Sequence, residues 1–153
     1  MPIVIKTPKT KIKAEFKSQF DEKVLKVCIN TLAYVGETCI QEARDNGRYK
    51  DQTGNLRSSI GYAVVYDGIT VSEVRQQLFS GAGGDGSRGA DEGKKFLDTV
   101  KSKHNKGLAL ILTAGMNYAV YVEAKGLNVL TSAELIADQL VPQLLGKLGF
   151  TVK

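Results

Sequence analysis

Apolar residues recur at helical spacing through the first third of the chain, over residues 13–46. Polar residues occupy the opposite side of the same pattern, which predicts one long amphipathic helix. They include Glu37, Gln41 and Arg44. The Asn46-Gly47 pair ends the pattern, because glycine readily adopts the left-handed conformation that closes a helix. The wide apolar stripe predicts that this helix packs across a sheet or against a second copy of the chain. Its members are Phe16, Phe20, Val24, Leu25, Val27, Cys28, Ile29, Thr31, Leu32, Val35 and Ile40.

The pattern becomes strand-like in the middle of the chain. Residues 60–66 (IGYAVVY) and 70–76 predict two strands, and Asp67-Gly68 between them is a strong signal for a tight hairpin turn. Residues 107–115 (GLALILTAG) form an apolar run bounded by glycines, which is typical of a central strand buried on both faces. We therefore expect a small, mostly antiparallel sheet of about three strands.

Four further helices are predicted around this sheet. Thr53 is a candidate N-cap for a short helix over residues 55–59. A second helix covers residues 91–104, with Phe96, Leu97 and Val100 on one side.

The other two helices lie near the C-terminus. Residues 118–125 (YAVYVEAK) fit a strand or a short helix, and a helix is favoured because it places Tyr118, Tyr121 and Val122 on one face. The last helix, over residues 131–148, opens with a capping-box pattern, carries a leucine stripe and is kinked at Pro142. The capping box is Thr131-x-x-Glu134, and the stripe is Leu135, Leu140, Leu144, Leu145 and Leu148.

Two segments lack a regular pattern. Residues 1–12 are predicted to be an extended basic arm, since Pro2 and Pro8 oppose helix formation. Residues 80–93 (SGAGGDGSRGADEG) contain six of the chain's 16 glycines, which predicts a mobile loop. The remaining pattern indicates a single α+β domain over residues 13–153, with helices around the sheet.

The composition of the 153 residues is that of an ordinary globular domain, with 42% apolar and 24% charged residues and a net charge of +5. Lysines cluster twice, at the N-terminus and on the 91–104 helix, where Asp98 is interleaved. Solvated faces explain both clusters, and contact with nucleic acid or an acidic partner is the alternative. The clusters are Lys6, Lys9, Lys11, Lys13 and Lys17, and Lys94, Lys95, Lys101, Lys103 and Lys106. No apolar run approaches the ~18 residues of a membrane span, and no signal peptide is predicted.

The two cysteines, Cys28 and Cys39, are eleven residues apart in the predicted first helix. Helical rise separates their Cα atoms by roughly 16 Å, whereas a disulfide requires less than about 7 Å. We expect two free, buried thiols, as suits a reducing cytoplasm.

Candidate chemistry is sparse. Residues 81–86 (GAGGDG) match a dinucleotide-binding pattern, but they follow a hairpin and lack an acidic residue about 20 positions later. Residues 89–95 (GADEGKK) do not fit a phosphate-binding loop. His104 is the only histidine and has no neighbouring ligands for zinc. Glu123 is a candidate buried carboxylate, with a salt bridge or a loop cap as the simpler role. We therefore predict no catalytic, metal-binding or cofactor-binding residues.

Two segments are distinctive together: residues 51–65 (DQTGNLRSSIGYAVV) and residues 114–126 (AGMNYAVYVEAKG). In this order, with a long helix before and a helix after, the chain from about residue 15 resembles the minor tail component, or tail-completion, family of long-tailed bacteriophages. The chain departs from the family pattern at residues 124–127, where it has AKGL and the pattern has a Gly-Thr pair. These residues also have simpler possible roles. Thr53-Gly54-Asn55 would be a helix cap, and Tyr118 and Tyr121 would be core residues.

The resemblance implies a structural virion protein without catalytic activity, made in the host cytoplasm. Copies would form a ring in the phage neck and contact the connector or adaptor and the tail terminator or tail tube. The ring would surround the channel through which DNA passes, so DNA is a further candidate partner. It implies neither a membrane nor a small-molecule substrate. The alternative hypothesis is a small nucleic-acid-binding module that uses the N-terminal lysines. The third hypothesis is an enzyme with an unusual site.

Overall fold

The computed structural model describes residues 2–6, 21–74 and 77–149. They form the predicted α+β fold, with five helices around an antiparallel sheet. The elements in chain order are β1 (Pro2–Lys6), α1 (Asp21–Asp45), α2 (Asn55–Ser58), β2 (Ile60–Tyr66), β3 (Ile69–Glu73), α3 (Ser87–Lys101), β4 (Leu108–Ala114), α4 (Ala119–Ala124) and α5 (Thr131–Lys147).

The sheet has four strands in the order β1-β4-β2-β3, and every neighbouring pair is antiparallel. β4 lies between β1 and β2, and all seven of its residues are buried. The prediction of a central strand buried on both faces is therefore confirmed.

The sheet has one strand more than the three that were predicted, because residues 2–6 belong to the sheet and not to a free arm. β1 pairs with β4 from Pro2 opposite Thr113 to Lys6 opposite Ala109. Ile3 packs on one side of the sheet and Val4 on the other, so the β-branched residues of β1 contribute to the core on both faces. Pro2 is compatible with this place, since proline is tolerated at the first residue of an edge strand. The rest of the predicted arm, residues 7–12, lies outside the described residues.

Helices cover both faces of the sheet. On one face, Tyr62, Val64, Leu110 and Leu112 belong to the larger core, which α1 and α5 complete. On the other face, Ala63, Val65, Ala109 and Ile111 pack against Leu97 and Val100 of α3. The alternation along β2 and β4 follows from the two-residue period of a strand, and it yields three layers with the sheet in the middle.

The described part of the first predicted helix begins at Asp21 and ends at Asp45. Its buried face contains Cys28, Leu32, Val35 and Cys39, at spacings of four, three and four residues. Both cysteines are free and buried, as predicted. Val27 was assigned to the stripe but is 44% exposed.

The predicted hairpin is confirmed. Asp67 and Gly68 both have positive φ values, 48° and 84°, as the two central residues of a type I′ turn require. The Asp67 carboxylate also accepts a hydrogen bond from the Gly107 N–H at 2.7 Å, which ties the turn to the start of β4.

The predicted leucine stripe of the last helix is wrong in detail. The buried face of α5 is Ala133, Ala137, Val141 and Leu145, whereas Leu135 is 60% exposed. Two alanines allow the helix to approach α1 closely, and the Cys39 thiol donates to the Ala133 carbonyl at 3.3 Å. Pro142 lies inside the helix, on an exposed position. No helix in the described ranges is both long and apolar enough to cross a membrane.

Candidate functional site

The two distinctive segments meet in space. Ile60, at the start of β2, lies opposite Ala114, at the end of β4. The Gly115 N–H donates to the Ser59 carbonyl at 3.2 Å, which extends the contact past the strands. We call the surrounding region, residues 51–60, 79–93 and 114–118, the glycine junction.

Within this junction, Asp51 and not Thr53 caps α2. The Asp51 carboxylate accepts hydrogen bonds from the N–H groups of Leu56 (3.4 Å) and Arg57 (2.8 Å). Gly54 occupies the N-cap position with a φ of 74°, a left-handed conformation that glycine adopts without strain. The prediction of a Thr53 N-cap is therefore wrong, and the Thr53 hydroxyl accepts a hydrogen bond from the Asn55 N–H at 3.3 Å.

The prediction of a loop over residues 80–93 is wrong for its second half. Residues 87–93 form the first half of α3, which begins four residues earlier than predicted. Before it, the Gly81 N–H donates to the Gly84 carbonyl at 2.9 Å, and the Gly83 N–H donates to the Gln52 carbonyl at 2.7 Å. The segment is folded against the residues that precede α2.

Close backbone contact accounts for several of these glycines. A Cβ atom on Gly89 would lie 2.0 Å from the Asn55 carbonyl oxygen, and one on Gly93 would lie 2.6 Å from that of Ser59. A Cβ on Gly115 would lie 2.4 Å from the Gly93 Cα. α3, α2 and the end of β4 therefore approach one another at distances that only glycine permits.

The polar side chains of the first segment serve this packing. The Asn55 Oδ1 atom accepts a hydrogen bond from the Gly89 N–H at 3.0 Å. The Ser58 hydroxyl accepts from the Phe79 N–H at 2.8 Å, and the Ser59 hydroxyl donates to the Leu56 carbonyl at 2.7 Å. These groups are engaged with the backbone, so the segment fixes the fold locally.

Arg44 is the most buried charged residue beside the junction, at 7% exposure, and the sequence pattern had placed it on the polar side of α1. Its guanidinium donates to the Ile60 carbonyl at 2.8 Å and to the Gln77 side chain at 3.2 Å, and lies 5.1 Å from the centre of the Phe79 ring. Burial lowers the pKa of Arg44, and Glu37 opposes that shift. No local sequence signal separates this arginine from a solvated one, since its partners come from β2 and from residues 77–79.

A cleft of about 310 Å³ lies over Arg44, between β2, α3 and the end of β3. Its polar lining consists of Arg44, Ser58, Glu73 and Lys94. Glu73 is paired with Lys101 at 3.1 Å, and Ser58 is bonded to Phe79. The cleft therefore contains both positive and negative side chains and has no strong preference for a cationic or an anionic ligand.

The short helix predicted over residues 118–125 is confirmed as α4. Its tyrosines are not core residues, because Tyr121 is 72% exposed and Tyr118 is also exposed. Val120 beside them is 54% exposed. Partial burial raises the pKa of Tyr118, and the nearby Asp51 carboxylate adds to that rise. α4 thus presents an aromatic surface next to the glycine junction.

Glu123 has the simpler role considered for it, as a cap. Its carboxylate accepts hydrogen bonds from the N–H groups of Val129, Leu130 (2.9 Å) and Thr131 (3.1 Å) and from the Thr131 hydroxyl. The predicted capping box between Thr131 and Glu134 does not form, because Thr131 is already the first residue of α5. A carboxylate from α4 replaces it, which ties the two helices together.

The remaining candidates are dispersed. His104 lies in the turn after α3 and is half-buried. Burial raises the pKa of both Cys28 and Cys39 to about 11, so these thiols are protonated at neutral pH. Within the described part of the chain, no group of three His, Cys, Asp or Glu residues could hold a metal ion.

The second lysine cluster is mostly solvent-facing. Lys101 pairs with Glu73 and with Asp98 (2.9 Å), while the other lysines of the cluster are exposed. In the first cluster, Lys9, Lys11, Lys13 and Lys17 lie outside the described residues.

Comparisons with protein-family models, with curated proteins and with solved structures find no match to this chain. Its function is therefore inferred from the residues described above and from the resemblance carried by residues 51–65 and 114–126.

Proposed function

We propose that the chain is a structural subunit of a tailed-phage neck, a head–tail joining or tail-completion protein that assembles into a ring between connector and tail tube. One observation carries the proposal. The two segments that resemble this family, residues 51–65 and 114–126, are hydrogen-bonded neighbours, through Gly115 and Ser59 and through the pairing of β2 with β4. The contact joins the two segments into one packed unit, as we expect of two parts of one family motif.

The exposed apolar side chains also support a subunit of an assembly. They lie on different elements: Tyr121 on α4, Ile69 on β3, Tyr34 on α1 and Leu135 on α5, each at least 60% exposed. A ring subunit needs contacts with neighbours on two sides and with further rings above and below, and these four positions are compatible with such contacts.

The proposal is tested by measuring the mass of the purified chain with multi-angle light scattering over a range of concentrations. We expect a discrete oligomer, alone or after mixing with connector or tail-terminator rings encoded by neighbouring genes. A chain that stays monomeric at high concentration and binds none of these rings would contradict the proposal.

A nucleic-acid-binding module is the second candidate, because Lys94, Lys95, Lys103 and Lys106 are exposed on and after α3. Phosphate contacts would make DNA affinity fall steeply with salt concentration. The test compares replacement of these four lysines by glutamine with the same replacement of Lys9, Lys11, Lys13 and Lys17. Unchanged DNA binding in both variants would remove this candidate.

A further inference from the structure

α1 is followed by Asn46-Gly47, the only Asn-Gly pair in the sequence. The side-chain amide carbon of an asparagine can be attacked by the main-chain nitrogen of the next residue, which closes a five-membered ring. Glycine at the second position favours this attack, because it has no side chain to obstruct the ring and its main-chain bonds rotate freely. The pair is therefore a candidate site of spontaneous modification.

The fold leaves both reacting groups of this pair accessible. Asn46 is exposed and lies directly after the last residue of α1. Its N–H donates to the Glu42 carbonyl at 3.0 Å, and its carbonyl accepts from the Asn128 side chain at 3.1 Å. In the part of the chain that the structure describes, neither the Asn46 side chain nor the Gly47 N–H has a hydrogen-bond partner. The amide carbon and the attacking nitrogen are thus both unengaged.

The two Asp-Gly pairs of the sequence can form the same ring with loss of water, but the fold engages both aspartates. The Asp67 carboxylate accepts a hydrogen bond from the Gly107 N–H at 2.7 Å. The Asp85 carboxylate accepts from the Ser87 N–H at 3.0 Å and from the Ser87 hydroxyl at 2.7 Å. These bonds to Ser87 lower the pKa of Asp85, so the group stays ionised, and an ionised carboxylate is a poor electrophile.

We propose that Asn46 is a site of spontaneous deamidation. The Gly47 nitrogen loses its proton and bonds to the Asn46 Cγ atom, while the bond from Cγ to the amide nitrogen breaks and ammonia leaves. Water then opens the resulting succinimide ring. Breaking the new bond gives aspartate with an ordinary main chain, whereas breaking the original peptide bond gives isoaspartate, whose main chain runs through Cβ and Cγ. The reaction consumes water and releases ammonia, and it needs no other reactant.

Isoaspartate at this position would disturb two hydrogen bonds that hold the end of α1 to the segment before α5. The Asn128 side chain donates to the Asn46 carbonyl at 3.1 Å, and the Arg48 N–H donates to the Leu127 carbonyl at 2.8 Å. Isoaspartate removes that carbonyl from the peptide bond and lengthens the main chain by one carbon between the two contacts. The two bonds then no longer fit their partners together.

The change also reaches α5 itself. The Asn128 Oδ1 atom accepts a hydrogen bond from the N–H of Ser132, in the first turn of α5, at 3.0 Å. Asn128 therefore bridges the end of α1 and the start of α5. Either product also places a carboxylate just beyond the C-terminus of α1, where the helix dipole disfavours negative charge. Deamidation thus weakens the packing of α1 against α5 as the chain ages.

Peptide mapping of the incubated chain tests the site. Digestion after lysine releases residues 27–50 as one peptide, which contains both Asn46 and Asn30. Asn30 is also exposed, but it lies inside α1, where helical hydrogen bonds hold the following N–H. After incubation at physiological temperature and mildly alkaline pH, we expect deamidation at Asn46 and none at Asn30. Isoaspartyl methyltransferase should label the product at residue 46 but not residues 67 and 85.

A synthetic peptide of residues 41–52 supplies the rate without the fold, and Asn46→Gln supplies the unreactive control, since glutamine must close a less favourable six-membered ring. We expect the folded chain to deamidate within about tenfold of the peptide's rate. A folded chain that reacts more slowly than this, or that converts Asn30 as fast as Asn46, would overturn the proposal.

A second measurement tests the link to α5. The Asn46→Asp variant carries the new charge with an ordinary main chain, so it separates charge from rearrangement. We expect the purified isoaspartate form to unfold more readily than Asn46→Asp, with an unfolding equilibrium constant about tenfold larger, because it loses the two hydrogen bonds. Equal stability of the two forms in urea would overturn the coupling between this site and α5.

Discussion

The side-chain oxygen of Asn55 accepts a hydrogen bond from the backbone N–H of Gly89, 3.0 Å away. Gly89 is the third residue of α3, where a helix has no internal acceptor for its N–H groups. A residue 34 positions earlier in the chain thus supplies the cap of α3. This bond joins the first distinctive segment to the helix on the far side of the sheet.

Replacing Asn55 by alanine should destabilise the fold. The substitution leaves a part-buried N–H of α3 without its acceptor, at a cost of about 1–2 kcal/mol. Asn55→Asp keeps an acceptor and places negative charge at the helix N-terminus, so it should lose less. Urea unfolding checks both, with the exposed Asn30→Ala on α1 as the control that should not destabilise.

Gly93 and Gly146 provide a matched test of the glycine junction. Both lie in helices, but a Cβ at position 93 meets the Ser59 carbonyl oxygen at 2.6 Å, whereas one at position 146 meets nothing within 4 Å. We expect Gly93→Ala to cost about 2–3 kcal/mol through overpacking. Gly146→Ala should stabilise by up to about 1 kcal/mol, through helix propensity. Similar thermal shifts for the two variants would show that the close approach is unimportant.

Periodicity and turn chemistry were sufficient for the elements that local sequence determines. The Asp67-Gly68 hairpin, the buried β4 and the long α1 follow from two- or 3.6-residue patterns and from one turn signal. Long-range contacts explain the failures. The glycines of residues 80–93 are selected by the backbone of residues 51–59, a contact that composition cannot reveal.

The predictions of the helix caps and of the first strand were wrong for the same reason. Asp51 and Glu123 reach their helices across intervening turns, while the local patterns at Thr53 and Thr131 suggested nearer caps. β1 depends on the open side of β4, a partner more than 100 residues later in the chain. Arg44 had no separate signal at all, since burial of its guanidinium depends on Ile60 and Phe79.

The Glu123 cap predicts a stability effect at α5. Glu123→Ala removes the acceptor for three consecutive N–H groups and should cost about 1–2 kcal/mol. Glu123→Gln retains one acceptor oxygen, so its stability should lie between that of the unmodified chain and that of Glu123→Ala. Glu134→Gln, at the position of the predicted capping box, should change stability by less than about 1 kcal/mol. A larger loss from Glu134→Gln than from Glu123→Ala, by chemical denaturation, would reverse the assignment.

The buried thiols predict that stability falls in alkaline solution. Cys28 and Cys39 ionise near their ordinary pKa of 9.0 when unfolded, but burial raises the pKa to about 11 in the fold. Between these values the unfolded chain binds fewer protons than the folded chain, so rising pH favours unfolding. The slope reaches up to about 1.4 kcal/mol per pH unit for each thiol.

The control for this effect removes the thiols themselves. The Cys28→Ala/Cys39→Ala variant should be less stable at pH 7, because it leaves cavities, but its unfolding free energy should fall less between pH 8 and pH 10. Tyr49, whose pKa burial raises to about 12, contributes equally to both proteins. Parallel pH profiles of the two proteins would show that the thiols ionise freely in the fold.

Negative-stain electron microscopy of the purified chain, alone and mixed with connector rings, tests the central claim most directly. A subunit that works through its surfaces should produce closed, symmetric rings with an open centre, free or stacked on the connector. Particles of monomer size in both samples, with connector rings unchanged, would contradict a role in the phage neck.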